Sequence, residues 1–146
     1  MNARNFFSET ERLAIMGAIA TAEKNTSGEI RVHIENSFKG DVLDQASYIF
    51  KQLNMHRTEQ RNGVLIYLAL KNRQFAVIGD TGINLKVPEG FWDGVKDLMA
   101  GHFREGRFSE GLVSGINLAG VMLKEHFPYQ REDQNELSDE ISFGKQ

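Results

Sequence analysis

The chain contains no cysteine among its 146 residues. This absence excludes disulfides, thiolate nucleophiles, and zinc or iron–sulfur sites with cysteine ligands. Long apolar runs are also missing, since no window approaches the roughly 18 apolar residues that a membrane span requires. We therefore expect a soluble protein with no membrane span, and a cytoplasmic location is the default expectation.

A strong excess of charge of either sign is missing as well. The 17 basic and 20 acidic side chains give a formal net charge of −3, and the basic residues are scattered along the chain. Proteins that bind nucleic acid usually carry a basic stripe, so we expect no nucleic-acid partner. With 40% hydrophobic residues and only two prolines, the composition is that of one globular domain large enough to bury its own core.

Helical and strand patterns alternate along the chain. Ser8 and Glu11 form a capping box, which predicts a helix from Glu9 with Leu13 and Ile19 on its apolar stripe. Residues 29–36 then alternate between apolar and polar side chains, which predicts a half-buried strand. Its apolar positions are Ile30, Val32 and Ile34.

The next helix is predicted from a cap at Asp41 to about Met55. It leads into GVLIYLAL at residues 63–70, a strand that is apolar on both faces and therefore central in its sheet. A helix that joins two strands makes them parallel, whereas the turn at residues 71–73 makes the following strand antiparallel. The order α-β-α-β-β-α-α predicts a single α/β domain, a three-layer α/β/α sandwich with a small mixed sheet.

Two further helices are predicted after the hairpin. One starts near Pro88, a residue that is common in the first turn of a helix, and the last starts at a cap on Ser109 and ends near Phe127. The domain therefore spans residues 1–127. Residues 128–146 are predicted to form a flexible acidic tail, since few large apolar groups occur there.

Polar and glycine residues lie at both outer ends of the hairpin. If its strands pair, Asn62-Gly63 and Gly79-Asp80 meet at one edge of the sheet, beside the start of the first strand at Glu29. We therefore expect the carboxylates of Glu29 and Asp80 to approach each other. This edge is the predicted functional site.

Two interpretations of these acids remain open. Mg²⁺ and Ca²⁺ prefer oxygen ligands, and Asp93 and Asp97, one turn apart on the next helix, could add to Glu29 and Asp80. The alternative is that all four are solvated charges, with Asp80 in a tight turn. The four histidines show no ligand spacing, and each is interpreted as a surface or packing residue: His33, His56, His102 and His126.

Five motifs occur in a fixed order: SGEIRVHI, RNGVLIYLAL, RQFAVIGDTGIN, VPEGFW and HFREGRFSEGLVSGI. Together they resemble the TPM domain family, over about residues 6–127. The resemblance implies an α/β/α fold, acid-phosphatase-like activity on phosphate monoesters, and binding of Ca²⁺ or Mg²⁺. Glu29 matches the acid that opens the family's first strand, whereas Asn62 stands where many members have aspartate. Asp80 could replace that missing charge.

The resulting hypothesis is a metal-dependent phosphomonoesterase acting on a small substrate. The cation would polarise a phosphoryl oxygen and lower the pKa of a bound water, while backbone N–H groups of residues 79–82 would line an anion-binding concavity. Other family members are assembly or repair factors, so the alternative is a non-catalytic module that binds the cation and a protein partner. The predicted catalytic residues are Asp80, Arg61 as a phosphate clamp, and Asn62. The predicted metal ligands are Glu29, Asp80, Asp93 and Asp97.

Overall fold

The computed structural model describes residues 2–129 and 136–144. Within these residues the chain forms six α-helices, four strands and a 3-10 turn at Met55–Arg57. The helices are α1 (Ala3–Phe6), α2 (Glu9–Glu23), α3 (Val42–Gln52), α4 (Thr81–Asn84), α5 (Asp93–Arg104) and α6 (Phe108–His126). The strands are β1 (Glu29–Glu35), β2 (Gly63–Ala69), β3 (Gln74–Gly79) and β4 (Ser142–Phe143).

The strands form one mixed sheet in the order β3-β2-β1-β4. β1 pairs parallel with β2, and β2 pairs antiparallel with β3, as the connecting helix and the short turn predict. Helices cover both faces, so the predicted α/β/α sandwich with a small mixed sheet is confirmed.

One face of the sheet packs against α2, α5 and α6. Its core includes Ile30, Val32 and Ile34 of β1, which are fully buried as their alternation predicts. The other face packs against α3, where Ala46, Ile49 and Phe50 meet the second side of β2. β2 is buried along its whole length, because both of its faces are covered.

The predicted capping box is present at the start of α2. Ser8 Oγ accepts a hydrogen bond from the Glu11 amide, and the Glu11 carboxylate accepts one from the Ser8 amide. The predicted apolar stripe was partly wrong, since Leu13 is 60% exposed. The buried side of α2 instead carries Ile15, Ala18, Ile19 and Ala22.

Two predicted helix starts were also wrong. α5 begins at Asp93 rather than near Pro88, and a short helix, α4, occupies part of the segment that was expected to be a loop. α6 begins at Phe108, where no side chain caps it. Ser109 Oγ instead donates a hydrogen bond to Glu11 Oε2, at 3.0 Å, and so ties α6 to α2.

The C-terminal segment, residues 136–144, differs from the prediction of a flexible tail. Leu137 and Ile141 are buried, and β4 pairs parallel with the outer edge of β1. β1 is therefore not half-buried as predicted, since Glu29 and His33 on its second face are only 3% and 4% exposed. The rest of the predicted tail, residues 130–135 and 145–146, lies outside the described residues.

Candidate functional site

The central contact of the site joins Arg61 to Asp80 at the start of β2 and the end of β3. Arg61 Nε donates to Asp80 Oδ2 and Nη2 donates to Oδ1, both at 2.7 Å. The carboxylate is nearly buried at 4% exposed, whereas the Arg61 side chain is 45% exposed. This hydrogen bonding raises the pKa of Arg61, so the guanidinium is charged at any pH the protein meets.

The backbone that carries this ion pair is unusual. Arg61 adopts a left-handed conformation with φ 51°, which few residues other than glycine, asparagine and aspartate adopt. Its carbonyl accepts a hydrogen bond from the Gly82 amide at 2.9 Å. A Cβ on Gly82 would lie 2.1 Å from the Gln60 carbonyl oxygen, so only glycine fits there. The loop that presents Arg61 is therefore fixed by its packing against α4.

A cavity of about 420 Å³ opens beside the ion pair, between α3 and the end of β3. Lys51 of α3 and His56 of the 3-10 turn line it together with Arg61 and Asp80. Three basic side chains, those of Lys51, His56 and Arg61, therefore line one cavity. The carboxylate in its lining, that of Asp80, is already paired with Arg61. Hydroxyl groups of Ser47 and Thr81 and the amide of Asn84 are also in the lining.

Two lining groups have unused hydrogen-bonding capacity. Nδ1 of His56 and Nε1 of Trp92 are buried and find no hydrogen-bond partner within the described part of the chain. The sequence analysis interpreted His56 as a surface or packing residue and did not consider Lys51 or Trp92. No spacing signal links them, because the fold brings them together from α3, the 3-10 turn and the loop before α5.

Glu29 lies in the same row of the sheet as Asp80, with Gly63 between them. Glu29 pairs with Gly63, whose carbonyl accepts the Asp80 amide at 2.9 Å. Two strand spacings place the outer Cα atoms about 10 Å apart. The predicted convergence therefore holds for the backbone, but the side chains bind different partners. Glu29 Oε1 accepts a hydrogen bond from the Leu137 amide at 2.6 Å.

Burial changes the acidity of two carboxyl groups near the C-terminal segment. It raises the pKa of Glu29 to about 7, with a further contribution from the charge of Glu136. It raises the pKa of Glu23 to about 9, and the facing carboxyl group of Asp139 adds to this shift. Glu23 Oε2 also accepts the Ile30 amide at 3.0 Å. Burial beside the C-terminal segment therefore favours the protonated form of both acids, and more strongly for Glu23 than for Glu29.

Asn62 was predicted to be catalytic. In the structure its hydrogen bonds connect the loop before β2 to the start of β1. It is 2% exposed, its Nδ2 donates to the Ser27 carbonyl at 3.0 Å, and its own carbonyl accepts the Glu29 amide. Asn62 is absent from the lining of the cavity that contains Arg61 and Asp80. Its contacts fix the starts of β1 and β2 relative to each other.

Asp93 and Asp97 lie on the exposed side of α5. The Asp93 side chain is 69% exposed and lies 3.5 Å from Lys96 Nζ. Asp97 is also exposed. Neither residue lines the cavity beside Asp80.

The backbone N–H groups of residues 80–82, part of the predicted anion-binding concavity, already have partners. The Asp80 amide donates to the Gly63 carbonyl, and the Thr81 amide donates to Asp80 Oδ1 at 2.8 Å. The Gly82 amide is bonded to the Arg61 carbonyl. An anion at this edge would therefore be bound by side chains.

The fold and the sequence agree with one family. The model of the TPM domain matches residues 1–121. The chain belongs to the TPM domain family. No curated protein matches the chain.

Solved structures of similar chains share this TPM fold. The BA42 protein of the psychrophilic bacterium Bizionia argentinensis is 45% identical, with a TM-score of 0.91 over 96% of this chain and 97% of that one. The N-terminal domain of a protein from P. gingivalis is 21% identical, with a TM-score of 0.71 over 88% of this chain and 84% of that one. An N-terminal domain from Corynebacterium glutamicum is 13% identical, with a TM-score of 0.64 over 97% and 82%.

The divalent cation implied by the TPM resemblance can be tested against the donor groups. Among residues 2–129 and 136–144, no three histidine, aspartate or glutamate side chains lie together as a metal-binding group. Arg61 binds both oxygens of Asp80, and a backbone amide binds one oxygen of Glu29. Ca²⁺ takes about six to eight oxygen ligands. In this conformation the predicted ligands do not form one coordination shell for Ca²⁺ or for Mg²⁺.

None of the six helices that the structure describes has the character of a membrane span. Within the described ranges, none combines the length and the apolar character needed to cross a bilayer.

Proposed function

We propose that this TPM domain hydrolyses small phosphate monoesters in the cavity beside Arg61 and Asp80. The observation that carries the proposal is the convergence of Lys51, His56 and Arg61 on one space of about 420 Å³. A phosphate monoester carries up to two negative charges, and such a cationic lining matches it. The family's model is named for a phosphatase, which supports the same activity.

Arg61 would bind the phosphoryl group. Asp80 occupies its Nε and Nη2, which holds the guanidinium plane in one orientation. Within the described residues no hydrogen bond engages Nη1, so this edge can donate to a phosphate oxygen. Lys51 would add a second positive charge from α3. Asp80 therefore positions the clamp and does not contact substrate in this mechanism.

His56 would supply the proton for the leaving group. A water molecule attacks phosphorus, the bond from phosphorus to the ester oxygen breaks, and the departing oxygen takes a proton from the imidazolium. The water proton leaves with the phosphate product, and solvent reprotonates His56. The place of His56 in the lining of the same cavity as Arg61 and Lys51 supports this role.

The divalent cation remains a prediction, and no step above depends on it. The alternative function, a non-catalytic module that binds Ca²⁺ or Mg²⁺ and a protein partner, also remains a prediction. A phosphatase assay tests both predictions if it is run with a chelator and then with Ca²⁺ or Mg²⁺ added back.

The test is hydrolysis of p-nitrophenyl phosphate by the full chain. We expect Lys51→Gln to raise KM about tenfold with little change in kcat, because it removes a charge that binds the phosphate. His56→Asn should lower kcat about a hundredfold or more with little change in KM. Lys124→Gln, an exposed lysine on α6, is the matched control and should behave as wild type.

Three results would contradict the proposal: no turnover by the wild type, full activity in His56→Asn, or an equal effect of Lys124→Gln and Lys51→Gln. Activity that is lost with EDTA and restored by Mg²⁺ or Ca²⁺ would support the predicted cation. Binding of the ions without turnover would support the non-catalytic module.

A further inference from the structure

A second cavity lies at the opposite end of the β2–β3 hairpin. Its volume is about 540 Å³, and it is bounded by the end of β2, the start of β3 and the turn between α5 and α6. Volumes between roughly 300 and 1,000 Å³ are typical of small-molecule sites. The hairpin runs about 20 Å between the two cavities at roughly 3.3 Å per residue, so this space is separate from the Arg61–Asp80 site.

Three phenylalanine rings form the apolar part of this cavity. Phe103 of α5 packs edge-on against Phe75 of β3 at 5.1 Å and stacks on Phe108 of α6 at 5.4 Å, measured between ring centroids. All three rings are only partly buried and line the same space. Their mutual contacts fix their orientation, so they present a rigid aromatic surface that a flat apolar group can cover.

Two arginines stand at the edge of the same cavity. Arg73 and Arg104 are exposed, and neither forms an ion pair within the described residues. Arg61 and Arg107, by contrast, are paired with Asp80 and Glu105. Since Arg107 lies 3.4 Å from the Glu105 carboxylate, that neighbouring acid already has a cationic partner. The rim therefore carries two positive charges that have no carboxylate partner in the described part of the chain.

We propose that this cavity binds a small organic anion with a flat apolar body, such as an aromatic carboxylate. The body packs on Phe75, Phe103 and Phe108, and the carboxylate accepts hydrogen bonds from Arg73 and Arg104. Guanidinium groups form paired hydrogen bonds with carboxylates, which favours this head group over a neutral one. The proposal does not depend on the phosphatase activity.

Titration of the full chain with 2-naphthoate, followed by backbone amide shifts, tests the site. We expect saturable shifts at submillimolar concentration for amides of β3, the end of α5 and the start of α6. The uncharged analogue 2-naphthalenemethanol should bind at least about tenfold more weakly, since it cannot form the charge-assisted hydrogen bonds. Absence of shifts at about millimolar naphthoate would overturn the proposal.

The variants separate this site from general hydrophobic binding. Arg73→Gln with Arg104→Gln should weaken naphthoate binding at least about tenfold and leave the uncharged analogue unchanged. Arg57→Gln, an exposed arginine in the 3-10 turn, is the matched control and should leave both affinities unchanged. Equal binding of the two compounds, or shifts centred on Lys51 and His56 instead, would overturn the assignment.

Discussion

Arg61 holds both carboxylate oxygens of Asp80, through Nε and Nη2, at 2.7 Å each. A carboxylate held in this way is a poor ligand for a cation, because both oxygens already accept hydrogen bonds from a positive group. The same contact aims the guanidinium at the cavity beside α3. Because Asp80 is paired with Arg61, the described lining of the cavity has no carboxylate left without a cationic partner, and it also contains Lys51 and His56.

Replacing Asp80 tests how much its contact with Arg61 contributes to the stability of the fold. Asp80→Ala removes a nearly buried charge and the cap of α4, and we expect it to lower the free energy of unfolding by about 2 kcal/mol. Asp97→Ala, on the exposed side of α5, should change it by less than about 0.5 kcal/mol. Urea unfolding of both variants measures the difference. Equal effects would show that the Arg61 contact does not stabilise the fold.

Gly82 is expected to tolerate no side chain. Gly82→Ala would bring a Cβ within 2.6 Å of the Arg61 carbonyl oxygen, a backbone atom that cannot move cheaply. We expect a loss of more than about 2 kcal/mol in unfolding free energy. Gly101→Ala, within α5 and with nothing inside 4 Å of its added Cβ, should instead gain up to about 1 kcal/mol. Thermal unfolding of the two variants measures this difference. A stabilised Gly82→Ala variant would contradict the close approach of its added Cβ to the backbone.

The stability of the protein should fall as pH rises from mildly acidic to alkaline values. Glu29 and Glu23 have folded-state pKa values near 7 and 9, above the ordinary value of 4.5. Their stabilising contribution is fully present below pH 4.5, and it is lost as pH rises through about 7 for Glu29 and about 9 for Glu23. Urea unfolding across pH 5 to about 9.5 measures the slope.

Glu23→Gln should flatten the alkaline part of that curve, because the amide cannot ionise beside Asp139. Glu9→Gln, on the exposed first turn of α2, is the control and should leave the slope as it is in the wild type. A curve for Glu23→Gln that matches the wild type from pH 7 to 9 would contradict the assignment of the buried proton.

The C-terminal segment is expected to stabilise the domain. Ile141 is 8% exposed and packs in the core next to β1, so Ile141→Ala should cost about 2 kcal/mol or more. Leu13→Ala, at a position that is 60% exposed, should cost less than about 1 kcal/mol. If residues 136–144 do not pack in solution, the two variants will have the same melting temperature.

Local patterns predicted those parts of the fold that depend on near neighbours. Ser8 and Glu11 fix the start of α2 because a capping box spans only four residues, and the apolar run of β2 indicates cover on both faces. The start of α5 was missed. Pro88 suits a first helical turn, but residues 85–92 form turns after α4 before the helix begins at Asp93.

The meeting of the two strand ends was predicted from the sequence, but the side chains that line the cavity beside them were not. Pairing of the hairpin brought Asp80 next to Gly63, as expected from its two strands. Lys51 and His56 reach the same cavity from elements that precede the hairpin, and no spacing in the sequence links them to Asp80. Which side chains meet in this cavity depends on how α3 and the 3-10 turn pack on the sheet.

Short-range periodicity and motif order were enough to predict the alternation of helices and strands, the parallel and antiparallel strand pairings, and the TPM family. The pairing of Arg61 with Asp80, and the bond from the Leu137 amide to Glu29 at a separation of 108 residues, became visible only in the packed fold. Both contacts depend on which groups share a buried space, and burial is a property of the whole packed chain.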